Sequence, residues 1–290
     1  RAPIAKNIYR EIGNKSPILE LTQNQAKSLE NSLLKKGDYK CFVIMRCWHP
    51  RAENVIKEVK EYNPEEIILL PLYPQYSAST SGSSIKEWND LCKRENYKIK
   101  TKTICCYPTE NNFLESHANL IKKTIKNLEN KNFKLLFSAH GLPEIKIKKG
   151  DPYQWQVEKT VEGIMTKLTY KNLDHIISYQ SRVGPLKWIG PSTDEIIIKY
   201  SKEKKGIVIV PVAFVSEHSE TLVELDIEYK KLAEKNGCSF YKRVPALGIE
   251  ENFIKGLAEL VLQKETRENF VSSVMCSDKY KKCPCLAVRR

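Results

Sequence analysis

The sequence contains no apolar run long enough to cross a membrane and no glycine-rich motif that would hold a nucleotide. The longest apolar runs, at 67–72 and 207–214, fall far short of the ~18 residues that a spanning helix needs. Neither Gly-x-x-x-x-Gly-Lys-Ser/Thr nor Gly-x-Gly-x-x-Gly occurs. We therefore expect neither a transmembrane segment nor a nucleotide cofactor.

An export signal is also missing, and this bears on how the nine cysteines are used. Residues 1–7 lack the apolar centre of a secretory signal. A long chain without such a signal seldom builds a disulfide framework, so we expect thiols or metal ligands instead. The sequence begins at Arg1 rather than at a methionine, which we interpret as processing or as a fragment.

The composition is that of a folded chain with an excess of positive charge. Of the 290 residues, 41% are hydrophobic and 29% are charged, which supplies the core of one large or two medium domains. The net charge of +13 favours an anionic partner, or else reflects lysines spread over the surface. Because no repeat of basic and aromatic residues accompanies the charge, we do not expect nucleic-acid binding.

Short apolar runs rich in β-branched residues alternate with helix-like stretches. Strands are predicted at 40–45, 67–72, 97–106, 133–138, 175–179 and 207–214. Helices are predicted at 23–35, 52–62, 113–131, 155–169, 221–235 and 252–263, and a solvated loop at 146–149. This alternation is typical of parallel sheets covered on both faces. We predict α/β lobes at 1–115 and 116–250, then a helix and a cysteine-rich tail at 251–290.

Polar residues follow the predicted strands, where ligands bind in sheets of this kind. His140 follows one strand closely and is a candidate base or metal ligand, or else a partner within its own turn. Residues 217–228 hold five acids and His218, but no lysine or arginine. Helical spacing places Glu217, Glu220, Glu224 and Glu228 on one face, where like charges cost about 0.2–0.5 kcal/mol per pair. The row therefore favours a role with cations or protons, although the helix dipole also suits its first two acids.

Two further segments contain clustered side chains of one kind. The hydroxyl-rich loop at 77–84 leads into a helix, and either an anion site or a simple capped turn fits it. The tail packs Cys276, Cys283 and Cys285 into ten residues, which suits zinc or an iron–sulfur cluster with a fourth ligand from elsewhere. The adjacent thiols of Cys105 and Cys106 are the candidates for that ligand.

Seven stretches of the chain together resemble the ferrochelatases, enzymes that insert Fe(II) into protoporphyrin to make haem. They occur in family order at 72–77, 79–84, 137–143, 150–153, 179–185, 188–191 and 211–226. The stretch at 137–143 reads Phe-Ser-Ala-His-Gly-Leu-Pro, and the stretch at 150–153 reads Gly-Asp-Pro-Tyr. The resemblance implies the chelatase fold: two Rossmann-like lobes with parallel, four-stranded-type sheets flanked by helices, and a porphyrin cleft between them.

The resemblance also implies roles for individual residues. His140 resembles the family's essential histidine, which takes pyrrole protons or binds the incoming metal, and Glu220 resembles its acidic partner. Glu224 and Asp226 extend the acidic row along a helix that contains a π-bulge in the family, and Glu224 is a third predicted iron ligand. The residues that match the substrate site are Arg1, Tyr9, Ser16, Arg46, Tyr73, Trp188, Phe214 and His218.

Some ferrochelatases carry a [2Fe–2S] cluster held by three tail cysteines and one cysteine of the first lobe. The tail spacing Cys-x6-Cys-x-Cys resembles certain bacterial members. Ala78 stands where the animal enzymes have the fourth ligand, so we assign that ligand to Cys105 or Cys106. The family's first strand, which ends in Leu-Gly-Thr/Ser-Pro, has no counterpart after Arg1, so we expect the first lobe to lack it.

The expected reaction is therefore the insertion of Fe(II) into protoporphyrin IX in haem biosynthesis. The alternatives are a chelatase for coproporphyrin or another metal, and a non-catalytic porphyrin-binding or haem-binding iron–sulfur protein. The expected partners are protoporphyrin IX and Fe(II), with a peripheral membrane contact and a homodimer as open options. The expected location is the cytoplasm, with the inner membrane as the surface for that contact.

Overall fold

The computed structural model describes residues 9–128, 132–170, 173–263, 269–273 and 276–287. Over these residues the chain forms an α/β fold with two parallel sheets flanked by helices, as the sequence predicts. The strands are β1 (Glu66–Leu69), β2 (Lys100–Cys106), β3 (Phe133–His140), β4 (His175–Gln180), β5 (Gly206–Pro211), β6 (Tyr241–Arg243) and β7 (Phe270–Ser272).

The helices lie on the faces of the two sheets. They are α1 (Ile18–Leu33), α2 (Ala52–Tyr62), α3 (Ser81–Arg94), α4 (Asn111–Ile125), α5 (Glu144–Lys148), α6 (Tyr153–Leu168), α7 (Thr193–Lys202), a π-helix (Glu220–Glu228), α8 (Tyr229–Lys235), α9 (Glu251–Leu262) and α10 (Pro284–Ala287). Helix α7 is not among the predicted helices, although the capping box of Ser192 and Glu195 marks its start. The predicted loop at 146–149 is wrong, because α5 covers most of it with side chains that remain unburied.

The first sheet has the order β1-β2-β7. The strand predicted at 40–45 is wrong, because within the described residues this segment joins no sheet. Phe42 and Ile44 still pack against the apolar cluster under α2 and α3. The backbone N–H of Cys41 donates to Glu30 Oε1 at 2.6 Å, so a side chain takes the place of a neighbouring strand. The apolar side chains of this segment are therefore packed against the cluster without any pairing of strands.

The second sheet has the order β4-β3-β5-β6, and all of its pairs are parallel. Its register sets His140 beside Gln180 and Ser138 beside Pro211. The carboxyl ends of β3, β4 and β5 therefore meet at one edge. Strands β6 and β7 were not predicted, because three residues are too few to show an apolar period.

Strand β3 divides its side chains between the two faces of the second sheet. Leu135, Phe137 and Ala139 belong to the main core, which α4, α6 and α9 complete. Leu136 points the other way, into a smaller cluster that includes Leu225 of the π-helix. The predicted lobe boundaries near 115 and 250 stay a prediction, and the structure pairs β7 of the C-terminal segment with β2 of the first sheet.

Candidate active site

His140 and Glu220 meet at the carboxyl edge of the second sheet. His140 is the last residue of β3, and Glu220 is the first of the π-helix. His140 Nδ1 lies 3.0 Å from Glu220 Oε2, which is a charge-assisted hydrogen bond when the imidazole is protonated. Both side chains are about two-fifths exposed, at 42% and 36%, so the pair opens toward solvent rather than into the core.

Glycine is required at position 141, directly after the histidine. A Cβ at Gly141 would lie 2.9 Å from the Gln180 carbonyl oxygen and 3.2 Å from the ring of Trp188. The absence of a side chain thus lets the chain turn tightly under Trp188, one residue after His140.

The two members of the pair shift each other's ionisation. Burial lowers the pKa of His140, but the hydrogen bond and charge of Glu220, with a contribution from Glu224, outweigh burial and raise it above its usual value. Burial raises the pKa of Glu220, but the hydrogen bond and charge of His140, with the charge of His218, bring it below its usual value. Each member of the pair therefore stabilises the charged form of the other.

His218 is a second histidine beside the same carboxylate. Its Nε2 lies 4.0 Å from Glu220 Oε2, and its ring packs against Phe214 with centroids 5.1 Å apart. Burial lowers the pKa of His218 and, together with the charge of His140, outweighs the opposing charges of Glu220 and Glu217. The pKa values of the two histidines are thus shifted in opposite directions.

Glu224 is held by four hydrogen-bond donors. Its Oε1 accepts from the backbone N–H of Ser181 at 2.9 Å and from the hydroxyl of Tyr229 at 2.9 Å. Its Oε2 accepts from Ser181 Oγ at 2.6 Å and from Gln180 Nε2 at 2.9 Å. A carboxylate offers about four lone-pair positions, so these bonds fill them. The role of Glu224 as an iron ligand stays a prediction, and the geometry presents a fixed charge.

Two acids of the row, Glu217 and Asp226, bind Arg243, and the prediction that Glu217 belongs to the stacked helical face is wrong. The π-helix begins after Glu217, whose Oε1 accepts from Arg243 Nη1 at 2.8 Å and from the backbone N–H of Ala246. Asp226 accepts two bonds from the same guanidinium, at 2.6 and 2.8 Å. Arg243 lies on β6, which the sequence pattern did not show, and for that reason this pairing was missed.

The structure gives local contacts for several of the predicted substrate residues. Tyr73 is 42% exposed, and partial burial, with a smaller effect of the Glu220 charge, raises the pKa of its hydroxyl. Arg46 Nη1 lies 3.4 Å from Glu87 Oε1. Ser16 Oγ accepts from the backbone N–H of Ile18 at the start of α1.

Two other predicted substrate residues lie near the start of the chain. The carbonyl of Tyr9 accepts from the backbone N–H groups of Ile12 and Asn14, at 3.1 and 2.7 Å. Arg1 falls outside the described residues.

The hydroxyl-rich segment at 77–84 is bonded to Asp151 and to the start of α3. Ser77 Oγ and the backbone N–H of Ala78 each donate to Asp151 at 2.9 Å. Ser83 Oγ and Ser84 Oγ donate to the carbonyl of Thr80. The cap residue of α3, Thr80, makes no side-chain cap hydrogen bond, so both interpretations of this loop stay predictions.

Five thiols meet where β2 ends and the tail returns. The Sγ atoms of Cys105, Cys283 and Cys285 all lie within 4.8 Å of one another. Cys276 and Cys106 are joined through Gln156, whose Nε2 donates to their sulfurs at 3.4 and 3.3 Å. Cys106 also bonds to Ser272 Oγ at 3.1 Å. The first-lobe pair and the tail thiols therefore come together as the sequence predicts.

The thiols of this site are hydrogen-bonded to one another. Hydrogen bonds with Cys106, Cys283 and Cys285, together with burial, keep the pKa of Cys105 well above its usual range. A metal cation bound here would stabilise the deprotonated form of these thiols, because coordinated thiols are deprotonated. The donor set, sulfur alone, is that of zinc or iron–sulfur sites.

Comparison with known proteins gives one consistent family. A family model described as ferrochelatase matches residues 1–265. The ferrochelatase of Pelagibacter ubique is 62% identical over 293 residues, which cover 99% of this chain and 85% of that protein. The ferrochelatase of Rickettsia felis is 47% identical over 289 residues, with 97% and 83% covered.

Solved structures share the fold at low sequence identity. SirB from Bacillus subtilis with Fe3+ superposes with a TM-score of 0.61 and 14% identity, covering 83% of this chain and 88% of that one. DR2241 from Deinococcus radiodurans, described as similar to chelatases, gives a TM-score of 0.55 and 12% identity, with 86% and 52% covered. At this identity the match speaks for the architecture alone.

Proposed function

Because the chain belongs to the ferrochelatase family, we propose that His140 and Glu220 form the reacting pair of the family's reaction. That reaction inserts Fe(II) into protoporphyrin IX and yields protohaem and two protons. The observation that supports the pair is its 3.0 Å contact at the open edge of the second sheet. Glu217 and Asp226 bind Arg243, and Glu224 is fixed by four donors. Glu228 lies at the far end of the π-helix.

The proposed chemistry follows from the charges of the pair. Each pyrrole N–H must lose its proton before the nitrogen binds iron, so a base is needed beside the ring centre. His140 serves as that base when it is neutral, and Glu220 stabilises the imidazolium that forms. Neutral His218 next to the same carboxylate, and Glu228 farther along the π-helix, are the groups proposed to pass protons or Fe(II) onward.

The porphyrin is proposed to lie against aromatic side chains around this edge. Tyr73, Trp188 and Phe214 supply apolar surface for the ring, as a concave site with few polar groups requires. Trp188 packs beside the turn at Gly141, and Phe214 packs on His218, so both lie next to the reacting pair. Arg46, Ser16, Tyr9 and Arg1 remain proposed contacts for the propionates.

An anaerobic metallation assay tests the pair. Protein, protoporphyrin and Fe(II) are mixed under argon, and the porphyrin absorption bands are followed for the native chain, His140→Ala and Glu220→Gln. We expect conversion by the native chain and a loss of about 10²-fold or more in each variant. His175→Ala is the matched control, since His175 is exposed at the opposite end of the neighbouring strand.

Two results would contradict the assignment. A His140→Ala variant that metallates at the native rate would exclude the base role. Porphyrin binding by the native chain without any metallation would favour the binding-protein alternative. Coproporphyrin and Co(II) in the same assay decide the substrate and metal preference.

The thiol site is proposed to hold a [2Fe–2S] cluster through Cys276, Cys283, Cys285 and Cys105. The donor set fits, because three of these sulfurs already lie within 4.8 Å of one another and the fourth, that of Cys276, is hydrogen-bonded to the thiol of Cys283. Cys105 is preferred to Cys106 because it belongs to that close triple, whereas Cys106 bonds to Ser272. Bound there, the cluster would supply one-electron chemistry.

Single serine variants test the ligand set. Anaerobically purified protein is examined for iron, acid-labile sulfide and visible absorption. We expect Cys105→Ser to lose the cluster, while Cys106→Ser and the control Cys92→Ser retain it. Loss in Cys106→Ser alone would move the fourth ligand to that residue, and zinc without sulfide would replace the cluster by a zinc site.

A peripheral membrane contact is proposed for the loops beside the site. Within the part of the chain that the structure describes, no helix has the length and apolarity to cross a bilayer. Trp48, Val183 and Leu186 are 68%, 70% and 57% exposed, and Arg182 and Lys187 flank the last two. Exposed apolar side chains with basic neighbours suit an anionic bilayer surface. This proposal locates the enzyme in the cytoplasm, at the inner membrane.

Sedimentation with anionic vesicles tests the contact. The triple variant Trp48→Ser, Val183→Ser and Leu186→Ser should lose binding. The control Leu34→Ser removes an equally exposed apolar side chain, 72% exposed at the end of α1, and should bind like the native chain. Equal binding by all three proteins would refute the proposed surface. The homodimer stays a prediction, which sedimentation velocity addresses.

A further inference from the structure

Gln156 is a fully buried amide between the thiol site and the loop that carries Tyr73. Its side chain is 0% exposed and lies in the first turn of α6. Its Oε1 accepts from the backbone N–H of Tyr76 at 2.7 Å. Its Nε2 donates to the sulfurs of Cys106 and Cys276, at 3.3 and 3.4 Å. Its amide oxygen and its amide nitrogen are therefore both engaged, with the two sulfurs on one side and the loop that carries Tyr73 on the other.

The surrounding contacts tie the same two regions to the start of α6. On the loop side, Gln75 Nε2 donates to Thr160 Oγ1 at 3.0 Å, one helical turn beyond Gln156. On the tail side, the ring of Tyr280 stacks on Trp155 with centroids 5.1 Å apart. The backbone N–H of Lys282 donates to the carbonyl of Gly150, next to the Asp151 that holds Ser77 and Ala78.

We propose that Gln156 is a positioning residue with two functions: it raises the reduction potential of the cluster, and it anchors the loop that carries Tyr73. The inference rests on the proposed [2Fe–2S] cluster. Of the two sulfurs that Gln156 contacts, that of Cys276 belongs to a proposed cluster ligand. Reduction makes the cluster sulfurs more negative, so the N–H that Gln156 donates to Cys276 stabilises the reduced form. The Oε1 contact fixes the backbone three residues after Tyr73, so it acts on the cleft without touching the porphyrin.

Two substitutions separate the two functions. Gln156→Glu keeps an oxygen for Tyr76 and removes both N–H donors to sulfur. Gln156→Leu removes the donors and the acceptor together. The matched control is Gln154→Leu, because Gln154 is on the same helix but is exposed and bonds to Glu158 at 3.3 Å.

The measurements are the reduction potential, by titration with the one-electron donor dithionite and mediator dyes, and the Kd for protoporphyrin, by absorption. We expect both Gln156 variants to have a lower potential than the native protein. We expect the Kd to rise several-fold in Gln156→Leu and to stay near the native value in Gln156→Glu. Gln154→Leu should match the native protein in both measurements.

The outcomes distinguish this inference from the cofactor proposal. A native protein without iron, sulfide and visible absorption refutes the cluster, and with it the role of Gln156. A native cluster whose potential is the same in Gln156→Glu refutes the donor function alone. A Kd that rises equally in Gln156→Glu and Gln156→Leu refutes the anchoring function. If Gln156→Leu does not fold, Gln156→Glu still decides the potential.

Discussion

At the residue scale, the pair of His140 and Glu220 shows how two ordinary side chains become a reactive site. The pKa of His140 is raised chiefly because Glu220 outweighs the effect of burial. A histidine with a raised pKa is neutral only at a higher pH, and only the neutral form accepts a proton. Metallation should therefore increase as the pH rises through the pKa of His140, which lies above about 6.5.

Glu220→Gln tests this dependence, because it keeps the shape of the side chain and removes its charge. The pKa of His140 should fall, so the acidic limb of kcat/KM against pH should move to lower pH, even though the maximal rate falls. Glu234→Gln on α8 removes a carboxylate away from the pair and should leave the limb in place. A limb that stays fixed or moves to higher pH in Glu220→Gln would show that Glu220 does not control His140.

The sequence patterns identified some of these residues and missed others, and the difference has a physical reason. His140 was predicted because a strand end in a parallel sheet is a position that the apolar pattern reveals. The roles of Glu220 and the cleft aromatics came from family motifs. Gln156 and Arg243 were missed, because their importance depends on partners distant from them in the chain. These partners are Tyr76 and Cys276 for Gln156, and Glu217 and Asp226 for Arg243.

At the element scale, the π-helix is the segment whose geometry needs an explanation. Such helices are rare and less stable than α-helices, so surrounding contacts must hold them. Strand β6 supplies two: Tyr241 donates to the carbonyl of Leu225 at 2.6 Å, and Arg243 binds both Glu217 and Asp226. An acidic run alone does not show which acids are neutralised in this way, so the sequence predicted a single row.

Arg243→Met should loosen the π-helix and the placement of Glu220. We expect the free energy of unfolding to fall by about 1–3 kcal/mol, a range reduced by the partial exposure of Asp226. The kcat for metallation should fall more than the KM for porphyrin changes, and Arg243→Lys should recover part of it. Urea unfolding and steady-state kinetics measure the two effects.

The control for this prediction is Arg94→Met. Arg94 pairs with Glu53 at 3.2 Å, but both side chains are exposed, so the pair contributes little to stability. Equal stability and equal kcat in Arg243→Met and Arg94→Met would mean that β6 does not hold the π-helix.

At the scale of the whole molecule, the C-terminal segment completes the first sheet. Helix α9 packs against α1 and α4, and β7 pairs with β2 in parallel register. The thiol site thus lies where β2 of the first sheet meets the C-terminal segment. This return was not predicted, because a three-residue strand far from its partner leaves no periodic signal, whereas the alternation of strands and helices that defines the fold class does.

Lys102 is the residue that joins α9 to the first sheet. It is buried on β2, and its Nζ donates to the carbonyls of Val261 and Gln263, at 2.6 and 3.3 Å, where α9 ends. Lys102→Met keeps the apolar stem but leaves these carbonyls without their donor. We expect a loss of about 1–3 kcal/mol in the free energy of unfolding, and faster hydrogen exchange in β7.

Lys100→Met is the matched control on the same strand, because Lys100 pairs with Glu66 and is 67% exposed. It should change the free energy of unfolding by less than about 0.5 kcal/mol and leave exchange in β7 as it is. Urea unfolding and hydrogen exchange read by mass spectrometry measure both quantities. If Lys102→Met behaves like Lys100→Met, the C-terminal segment is held to the first sheet by its β7 ladder and apolar packing, and not by the lysine.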